Sequence, residues 1–304
     1  MFFEDEAMRD GLQMESRIFS LEEKLTLFRL LKKAGVQRIQ VGSFVHPKIV
    51  PQMADTDDLI RQLPKQDLSL VSALILNERG LDRALACGVK HVSMSVSVSN
   101  SHSLKNARME AEEALHRMTE LIRQALAAGL SVRAGLQCSF GCVYEGAIDE
   151  AKVLRAAEQM AAAGVKEINL ADSTGMADPH SIRSLVGKVR QAFAEIALSL
   201  HLHDTRGMAI ANMFAGFEAG IRIFDTCAGG LGGCPFIKGA AGNIPTEDAA
   251  NMFESLDVAT GIDIQTLCDA VSYLESKLDR PLPGRMKRVL EFGKKSCQVG
   301  SEQS

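Results

Sequence analysis

The chain has 304 residues, of which 46% are hydrophobic, and its formal net charge is −4. This length suits one large barrel with an appendage or two ordinary domains, and the mild acidity gives no electrostatic reason to expect nucleic acid or an anionic membrane as a partner. No apolar run reaches the roughly 18 residues of a membrane span, the acidic N-terminus lacks the features of a signal peptide, and seven scattered cysteines favour a reducing cytoplasm over a secreted disulfide framework.

Short β-type runs alternate with helical patterns along the whole chain. Strands are predicted near residue 2 and over 36–41, 68–76, 91–95, 131–137, 167–170, 196–200 and 221–225. Helices are predicted over 21–34, 56–63, 78–87, 107–128, 150–163, 181–193 and 209–219, with two more over 246–256 and 264–278 after the last strand. Regular alternation of this kind is typical of a parallel sheet covered by helices.

Glycine follows alanine at four predicted helix ends, at Gly35, Gly129, Gly164 and Gly220. Glycine adopts the left-handed conformation of a helix terminus at little cost, so these positions mark where each helix gives way to a strand. About eight strands in strict alternation predict an α/β fold, a (β/α)₈ TIM barrel with additional C-terminal helices. An open doubly wound sheet is the alternative. We predict a catalytic domain over 1–285 and a C-terminal tail over 286–304.

His201 and His203 close the seventh predicted strand. Side chains two residues apart on a strand point to the same side, so the two imidazoles project together. Two imidazoles on one face can bind a metal ion as a pair. In a β/α barrel the end of a strand is also where the chemistry is placed.

Arg9 and Asp10 follow the first predicted strand and precede Gly11. Asp10 offers a hard oxygen ligand, and Arg9 is a permanent cation beside it. A surface ion pair at a turn is the alternative interpretation. The position favours function, because the end of the first strand lies on the same rim as the two histidines.

A glycine-rich segment follows the eighth predicted strand, with Gly229, Gly230, Gly232 and Gly233 leading into Cys234. Glycines let the backbone approach a ligand closely, so a thiol in this segment is a candidate for acid–base chemistry. A free cysteine is otherwise a small core residue. Further along, Asn243 offers an amide oxygen, although an asparagine after glycine is also typical of a turn.

Asp10, His201, His203 and Asn243 together supply two oxygens and two nitrogens. This mixed set suits a six-coordinate divalent cation with positions left for water or substrate, whereas a closed zinc site favours thiolates. Lys48 and the polar segment 100–106 offer cationic and polar groups on other loops of the rim. They are candidates for binding a substrate carboxylate or a cofactor phosphate, and solvated loop charges otherwise.

Five segments together resemble 3-hydroxy-3-methylglutaryl-CoA lyase, a family of metal-dependent TIM-barrel enzymes in the DRE-TIM metallolyase superfamily. The Gly-Leu-Gly-Gly-Cys-Pro sequence is specific to the lyase branch, whereas Arg-Asp-Gly and His-x-His are shared with isopropylmalate-synthase-like enzymes. The resemblance runs from about residue 4 to about residue 258. The segments that carry it cover 8–13, 43–55, 138–146, 201–205 and 230–235.

The resemblance implies a retro-aldol carbon–carbon cleavage of a hydroxyacyl-CoA to acetyl-CoA and a keto acid such as acetoacetate. It implies that Mg²⁺ or Mn²⁺ is bound by Asp10, His201, His203 and Asn243. Arg9 would stabilise the enolate, and Cys234 would take part in proton transfer. Asp172 matches an acidic position near the metal. The implied catalytic residues are Arg9, Asp10, Asp172, His201 and Cys234, and the implied substrate-binding residues are Arg9, Gln13, Gln40, Ser43 and Lys48.

Three departures from the family pattern remove polar function around the expected pocket. Gln40 stands where the family has a glutamate that contributes to catalysis, and glutamine cannot transfer a proton. Glu4, Asp5 and Glu6, near the barrel mouth or floor, are candidates to compensate for the lost carboxylate. Met14 replaces an amide. The segment 93–97, which is Ser-Met-Ser-Val-Ser, lacks the family's acid. The metal set is intact, so these changes suggest an acyl-CoA substrate that differs from the usual one.

Two other functions fit the same motifs. One is an aldol-type synthase that runs the reverse bond change, although such synthases carry a longer C-terminal region. The other is a metal-binding homologue without turnover, which would have no need to keep Arg9, Asp10 and Cys234 together. By analogy with the family, a homodimer is also expected.

Overall fold

The computed structural model describes residues 1–233 and 242–292, and the strands in these residues close into one parallel barrel of eight in chain order. The first strand pairs with both the second and the eighth, which closes the sheet. This confirms the predicted TIM barrel. The strands are β1 (Phe2–Asp5), β2 (Arg38–Ser43), β3 (Val71–Leu74), β4 (His91–Ser97), β5 (Ser131–Gln137), β6 (Glu167–Asp172), β7 (Ala197–Leu202) and β8 (Ile223–Thr226).

Helices surround the barrel and connect successive strands. They are α1 (Leu21–Lys33), α2 (Thr56–Gln62), α3 (Glu78–Cys87), α4 (Asn100–Ala107), α5 (Ala111–Ala127), α6 (Glu150–Ala162), α7 (Pro179–Ala192), α8 (Ala209–Glu218), α9 (Thr246–Glu254) and α10 (Ile264–Leu278). None of the helices in the described residues is both long and apolar enough to cross a bilayer.

The four predicted helix-ending glycines all have positive φ, between 84° and 100° for Gly35, Gly129, Gly164 and Gly220. Only glycine adopts this region cheaply, so the sequence signal and the backbone geometry agree. The start of α1 has an equally local cause. Ser20 accepts a hydrogen bond from the backbone of Glu23, whose carboxylate accepts one from Ser20 in return.

The structure corrects one predicted loop. The polar segment 100–106 is helical and forms most of α4, and Ser99 caps it by accepting a hydrogen bond from the backbone nitrogen of His102. The predicted helix 107–128 corresponds to α5, and only its first residue belongs to α4, since the two helices are separated at Arg108, which has a left-handed φ of 58°. His102, Ser103 and Asn106 of α4 line the cavity described below, from a helix instead of a loop.

The C-terminal helices α9 and α10 pack on the barrel as predicted. Phe253 of α9 lies against Phe3 of β1 and Phe224 of β8, with ring centroids 6.0 and 5.7 Å away, and all three rings are fully buried. Burying aromatic rings is a large apolar contribution to stability. The division into a domain over 1–285 and a tail over 286–304 stays a prediction, and residues 286–292 are helical.

Glu247, near the start of α9, is a fully buried carboxyl group. Its Oε2 accepts a hydrogen bond of 3.0 Å from the backbone nitrogen of Gly229, and its Oε1 has no hydrogen-bond partner among the described residues. Burial raises the pKa of Glu247 to about 8, because the charged form is poorly solvated there. The folded protein therefore holds a proton at Glu247 that the unfolded chain releases near pH 4.5.

Glu247→Gln is expected to flatten the pH dependence of stability between about pH 5 and about pH 8. The folded state binds the extra proton in this range, so the free energy of unfolding of the wild type falls as pH rises, by at most about 1.4 kcal/mol per pH unit from this group. Glutamine has a similar shape and no proton to lose. Urea unfolding at several pH values measures the slope, with the exposed Glu218→Gln as control. Equal slopes in wild type and Glu247→Gln would contradict the assignment.

Candidate active site

The predicted metal ligands come from three parts of the barrel that meet at the carboxyl ends of its strands. His201 lies near the end of β7, and His203 follows it. Asp10 lies in a π-helical turn, Ala7–Gly11, directly after β1, a type of turn that is frequent at functional sites. Asn243 follows β8 and forms an isolated backbone bridge with His203.

The ligand atoms of Asp10, His201 and His203 all lie within 4.8 Å of one another. The Nε2 atoms of the two histidines are 2.9 Å apart, about the separation of neighbouring ligands around an ion with bonds of about 2.1 Å. Asn243 donates a hydrogen bond of 2.8 Å from its amide nitrogen to Asp10 Oδ2. These four side chains therefore meet, and the set fits a divalent cation. That the amide oxygen of Asn243 is a ligand stays a prediction.

Arg9 contributes its guanidinium to the same group. It donates from Nη1 to Asp10, from Nη2 to Glu6 and from Nε to Gln40. These three partners fix the plane of the guanidinium. A guanidinium with a fixed plane can direct two N–H groups at negative charge that develops on a substrate. Arg9 also lines the cavity described below.

A buried layer of charged residues lies beneath the ligands. The sequence points to Glu6 in this layer, as a candidate to compensate for Gln40, but gives no indication of Arg133 or Asp225. Asp225 Oδ2 lies 3.2 Å from Nδ1 of His201, and Glu6 Oε2 lies 3.6 Å from the same nitrogen. Arg133 pairs with both carboxylates, at 2.7 Å in the case of Glu6. An acceptor at Nδ1 keeps the proton there and leaves Nε2 free to bind a cation.

Protonation states follow from these contacts. Burial alone would lower the pKa of His201, but the hydrogen bond to Asp225 and the nearby carboxylates raise it above its ordinary value. Burial and the neighbouring His201 lower the pKa of His203 to about 4. Burial would raise the pKa of Asp10, yet Arg9 and the two histidines hold it well below its usual range. At neutral pH the site therefore offers an ionised carboxylate and a neutral imidazole.

The ligands open into a cavity of about 840 Å³, large enough for the acyl part of a thioester. Its lining includes uncharged polar groups, namely three serines of β4 and the amides of Gln137 and Asn169. It also includes apolar side chains, among them Met14, Val45 and Ile49. The three serines are Ser93, Ser95 and Ser97.

The substrate-binding residues implied by the resemblance are only partly brought together. Gln13 lines the cavity. Gln40 is fully buried beneath Arg9. Ser43 is buried, and its hydroxyl donates to the backbone oxygen of Leu74 at 3.4 Å. Lys48 is exposed and is not among the residues that line the cavity.

Asp172 has a different set of contacts from the metal ligands. Its carboxylate accepts hydrogen bonds of 2.8 and 3.0 Å from the backbone nitrogens of Met176 and Ala177. Burial raises its pKa to about 6. The residue is not among those that line the cavity, although its neighbours Ala171 and Ser173 are. It therefore shapes the loop after β6.

Cys234 lies outside the described residues, but the chain on both sides of its segment is at the site. Gly233 lines the cavity, and Gly232 has a φ of 110°. A Cβ on Gly232 would lie 2.9 Å from the amide nitrogen of Asn243. Glycine is required here for backbone conformation and for close approach, as the sequence analysis predicted for this segment.

Comparison with known proteins places the chain in one family. The HMGL-like family model matches residues 2–274. The chain is 36% identical over 283 residues to hydroxymethylglutaryl-CoA lyase YngG of Bacillus subtilis, covering 93% of this chain and 95% of the relative. It is also 37% identical over 289 residues to (R)-citramalyl-CoA lyase of Chloroflexus aurantiacus, covering 92% of this chain and 91% of the relative.

Solved structures agree with the sequence comparison. An HMG-CoA lyase from Acinetobacter baumannii, in complex with coenzyme A and 3-methylmalate, has a TM-score of 0.88 and 34% sequence identity, with 94% of each chain covered. The family-model match, over residues 2–274, includes all eight strands and the four predicted metal ligands. The resemblance found in the sequence is thus confirmed, and the chain belongs to the HMGL-like family.

Proposed function

We propose that this protein is a divalent-metal-dependent carbon–carbon lyase that cleaves a 3-hydroxy-3-methylglutaryl-CoA-like hydroxyacyl-CoA to acetyl-CoA and a keto acid such as acetoacetate. The observation that carries the proposal is the meeting of Asp10, His201 and His203 with the Arg9 guanidinium at one cavity. Relatives that are hydroxymethylglutaryl-CoA lyases support the same reaction class.

The reaction places three demands on the site. The tertiary hydroxyl of the substrate must lose its proton as the bond between C2 and C3 breaks. The electron pair of that bond passes to the thioester and forms an enolate, and the hydroxyl carbon becomes the ketone of the keto acid. A proton must then reach the enolate carbon to give acetyl-CoA. The site therefore needs a proton acceptor, a cationic group at the thioester oxygen and a proton donor.

We propose that Asp10, His201, His203 and Asn243 hold Mg²⁺ or Mn²⁺. When bound, such an ion lowers the pKa of a substrate hydroxyl and fixes its orientation. The ionised carboxylate of Asp10 and the neutral imidazole of His203 suit a hard, six-coordinate ion. Asp225 orients His201 by accepting from its Nδ1.

Arg9 and Cys234 are proposed to handle the enolate. Arg9 is positioned to meet negative charge that grows on the thioester oxygen, where fixed electrostatics have their largest effect on rate. Cys234 directly follows Gly233, which lines the cavity, and is proposed to deliver the proton to the enolate carbon. Asp172 is proposed to support the site by holding the loop after β6.

The cavity favours a second candidate, a lyase for an altered acyl-CoA. The cavity walls include uncharged hydroxyl groups on β4 and the apolar side chains of Met14, Val45 and Ile49. A relative that is a citramalyl-CoA lyase, at 37% identity, suggests that substrates vary within the family. Such walls would accept a changed or longer C3 substituent.

Product analysis with a panel of hydroxyacyl-CoA thioesters tests both candidates. The panel contains 3-hydroxy-3-methylglutaryl-CoA, citramalyl-CoA and analogues with longer C3 substituents, each with Mg²⁺ or Mn²⁺ and with a chelator as control. Acetyl-CoA and a keto acid are expected only with metal. A higher kcat/KM for an altered substrate supports the second candidate, and the highest value for the standard substrate eliminates it. No cleavage of any thioester contradicts lyase activity.

Two further expectations accompany this proposal. The scattered cysteines suggest the cytoplasm as the place of the reaction. A homodimer stays a prediction by family analogy.

A further inference from the structure

Glu6 and Gln40 form a complementary pair beneath Arg9. Glu6 is fully buried at the end of β1, and Gln40 is fully buried on β2. The amide nitrogen of Gln40 donates a hydrogen bond of 3.1 Å to Glu6 Oε1. Both side chains also contact the guanidinium, since Nη2 of Arg9 donates to Glu6 and Nε donates to the amide oxygen of Gln40.

We propose that Glu6 is a positioning residue of the lyase reaction, whose carboxylate fixes the Arg9 guanidinium and for which Gln40 is the matching hydrogen-bond donor. This inference rests on the proposed function. It explains why the position on β2 carries an amide in this chain: the carboxylate that supports the arginine lies at the end of β1 instead.

Glu6 holds Arg9 through both its backbone and its side chain. The backbone oxygen of Glu6 accepts from the backbone nitrogen of Arg9 at 3.0 Å and from that of Gly11 at 3.1 Å. The carboxylate of Glu6 then takes the guanidinium of the same arginine. Backbone and side chain thus bind one residue within one π-helical turn, so the guanidinium has little freedom to rotate.

Gln40 supplies a hydrogen-bond donor between two buried carboxylates. The amide nitrogen of Gln40 donates 3.1 Å bonds both to Glu4 Oε1 and to Glu6 Oε1. A carboxylate at residue 40 would face two other carboxylates without a proton between them, which is costly in a buried site. With glutamate at residue 6, residue 40 must therefore be a donor.

Glu6 is less closely associated with the predicted metal ligand His201 than Asp225 is. Nδ1 of His201 lies nearer to Asp225, at 3.2 Å, than to Glu6, at 3.6 Å. Arg133 balances Glu6 from the other side at 2.7 Å. Glu6 therefore acts mainly on Arg9, whereas Asp225 acts on the histidine.

The test compares Glu6→Gln, Gln40→Glu and the double exchange with the wild type. Glu6→Gln sets an amide donor against the N–H groups of Arg9 and Arg133, so kcat is expected to fall by about 100-fold with KM within about threefold. The double exchange restores one carboxylate and one amide beneath Arg9. Its kcat is expected to exceed that of Glu6→Gln by about tenfold.

A matched control is Glu167→Gln, because Glu167 is also a buried, ion-paired glutamate. It begins β6 at the opposite end of the barrel and pairs with Arg38 at 2.9 Å. Its kcat is expected to stay within about threefold of the wild type, although its Tm falls. Mn²⁺ affinity, followed by electron paramagnetic resonance, is expected to stay within about threefold in Glu6→Gln.

Three results would overturn the inference while wild-type turnover is intact. They are a kcat of Glu6→Gln near the wild-type value, a double exchange no faster than Glu6→Gln, and a loss of Mn²⁺ affinity as large as the loss of kcat. The third result would place Glu6 with the metal ligands and not with the arginine. A wild-type chain that cleaves no thioester would instead contradict the proposed function, and this inference with it.

Discussion

Arg9→Lys is expected to reduce kcat by about 1000-fold, with Mn²⁺ affinity within about threefold of the wild type. The guanidinium of Arg9 donates to Asp10, Glu6 and Gln40 through three different nitrogens. A lysine ammonium is a point charge on a flexible chain and cannot keep these contacts in one plane. The positive charge remains, but it no longer lies where the enolate oxygen forms.

Steady-state kinetics with saturating Mn²⁺ and the preferred thioester measure this loss. The matched control is Arg206→Lys, since Arg206 lies near the same rim. Within residues 1–233 and 242–292, the hydrogen bonds of its guanidinium go to the backbone oxygens of Thr174 and Gly175, at 3.0 and 2.7 Å. Its kcat is expected to change by less than about threefold. An Arg9→Lys enzyme that keeps more than about a tenth of the wild-type kcat would mean that any cation suffices.

The barrel could be predicted because its signals are local. Each helix that ends in Ala-Gly is followed by a strand, and the glycine adopts the left-handed conformation that the junction needs. The pair His201 and His203 could be predicted for the same reason, since strand periodicity alone places both on one side. The closure of the barrel then brings Asp10 of the first turn to the histidines of the seventh strand.

The buried charges beneath the site could not be predicted in this way. Glu6 directly follows β1, whereas Arg133 and Asp225 lie on β5 and β8. Their contacts depend on which side of each strand faces the barrel interior and on the stagger between strands. In a sequence, a charged residue within an otherwise apolar strand indicates a buried charge. It does not indicate which residue pairs with that charge.

Helix α4 was missed for a different reason. Its sequence contains asparagine, serine and histidine, which form helices only weakly in isolation. The structure stabilises it from outside the segment. Ser99 caps the first turn, and Glu145, from the loop after β5, accepts from the backbone nitrogen of Ser101 at 2.6 Å. Tertiary contacts of this kind override local propensity.

Asp10→Asn is expected to weaken Mn²⁺ binding by at least about 100-fold and to lower kcat/KM by at least about 1000-fold. Among the described residues, the cluster of Asp10, His201 and His203 contains one carboxylate, that of Asp10. An amide removes the negative charge that a hard cation requires. It also sets an N–H donor near those of Arg9 and Asn243, which now donate to Asp10.

Asp204→Asn is a matched control for this substitution. Asp204 directly follows the proposed ligand His203, but its side chain binds a backbone group. Its carboxylate accepts a hydrogen bond of 2.9 Å from the backbone nitrogen of Ala209, at the start of α8. Titration of Mn²⁺ by electron paramagnetic resonance needs no turnover, so it tests the metal site apart from the choice of substrate. Equal Mn²⁺ affinity in the two variants would show that the ion is held elsewhere. A loss confined to Asp10→Asn ties the cation to the end of β1, where Arg9 also lies.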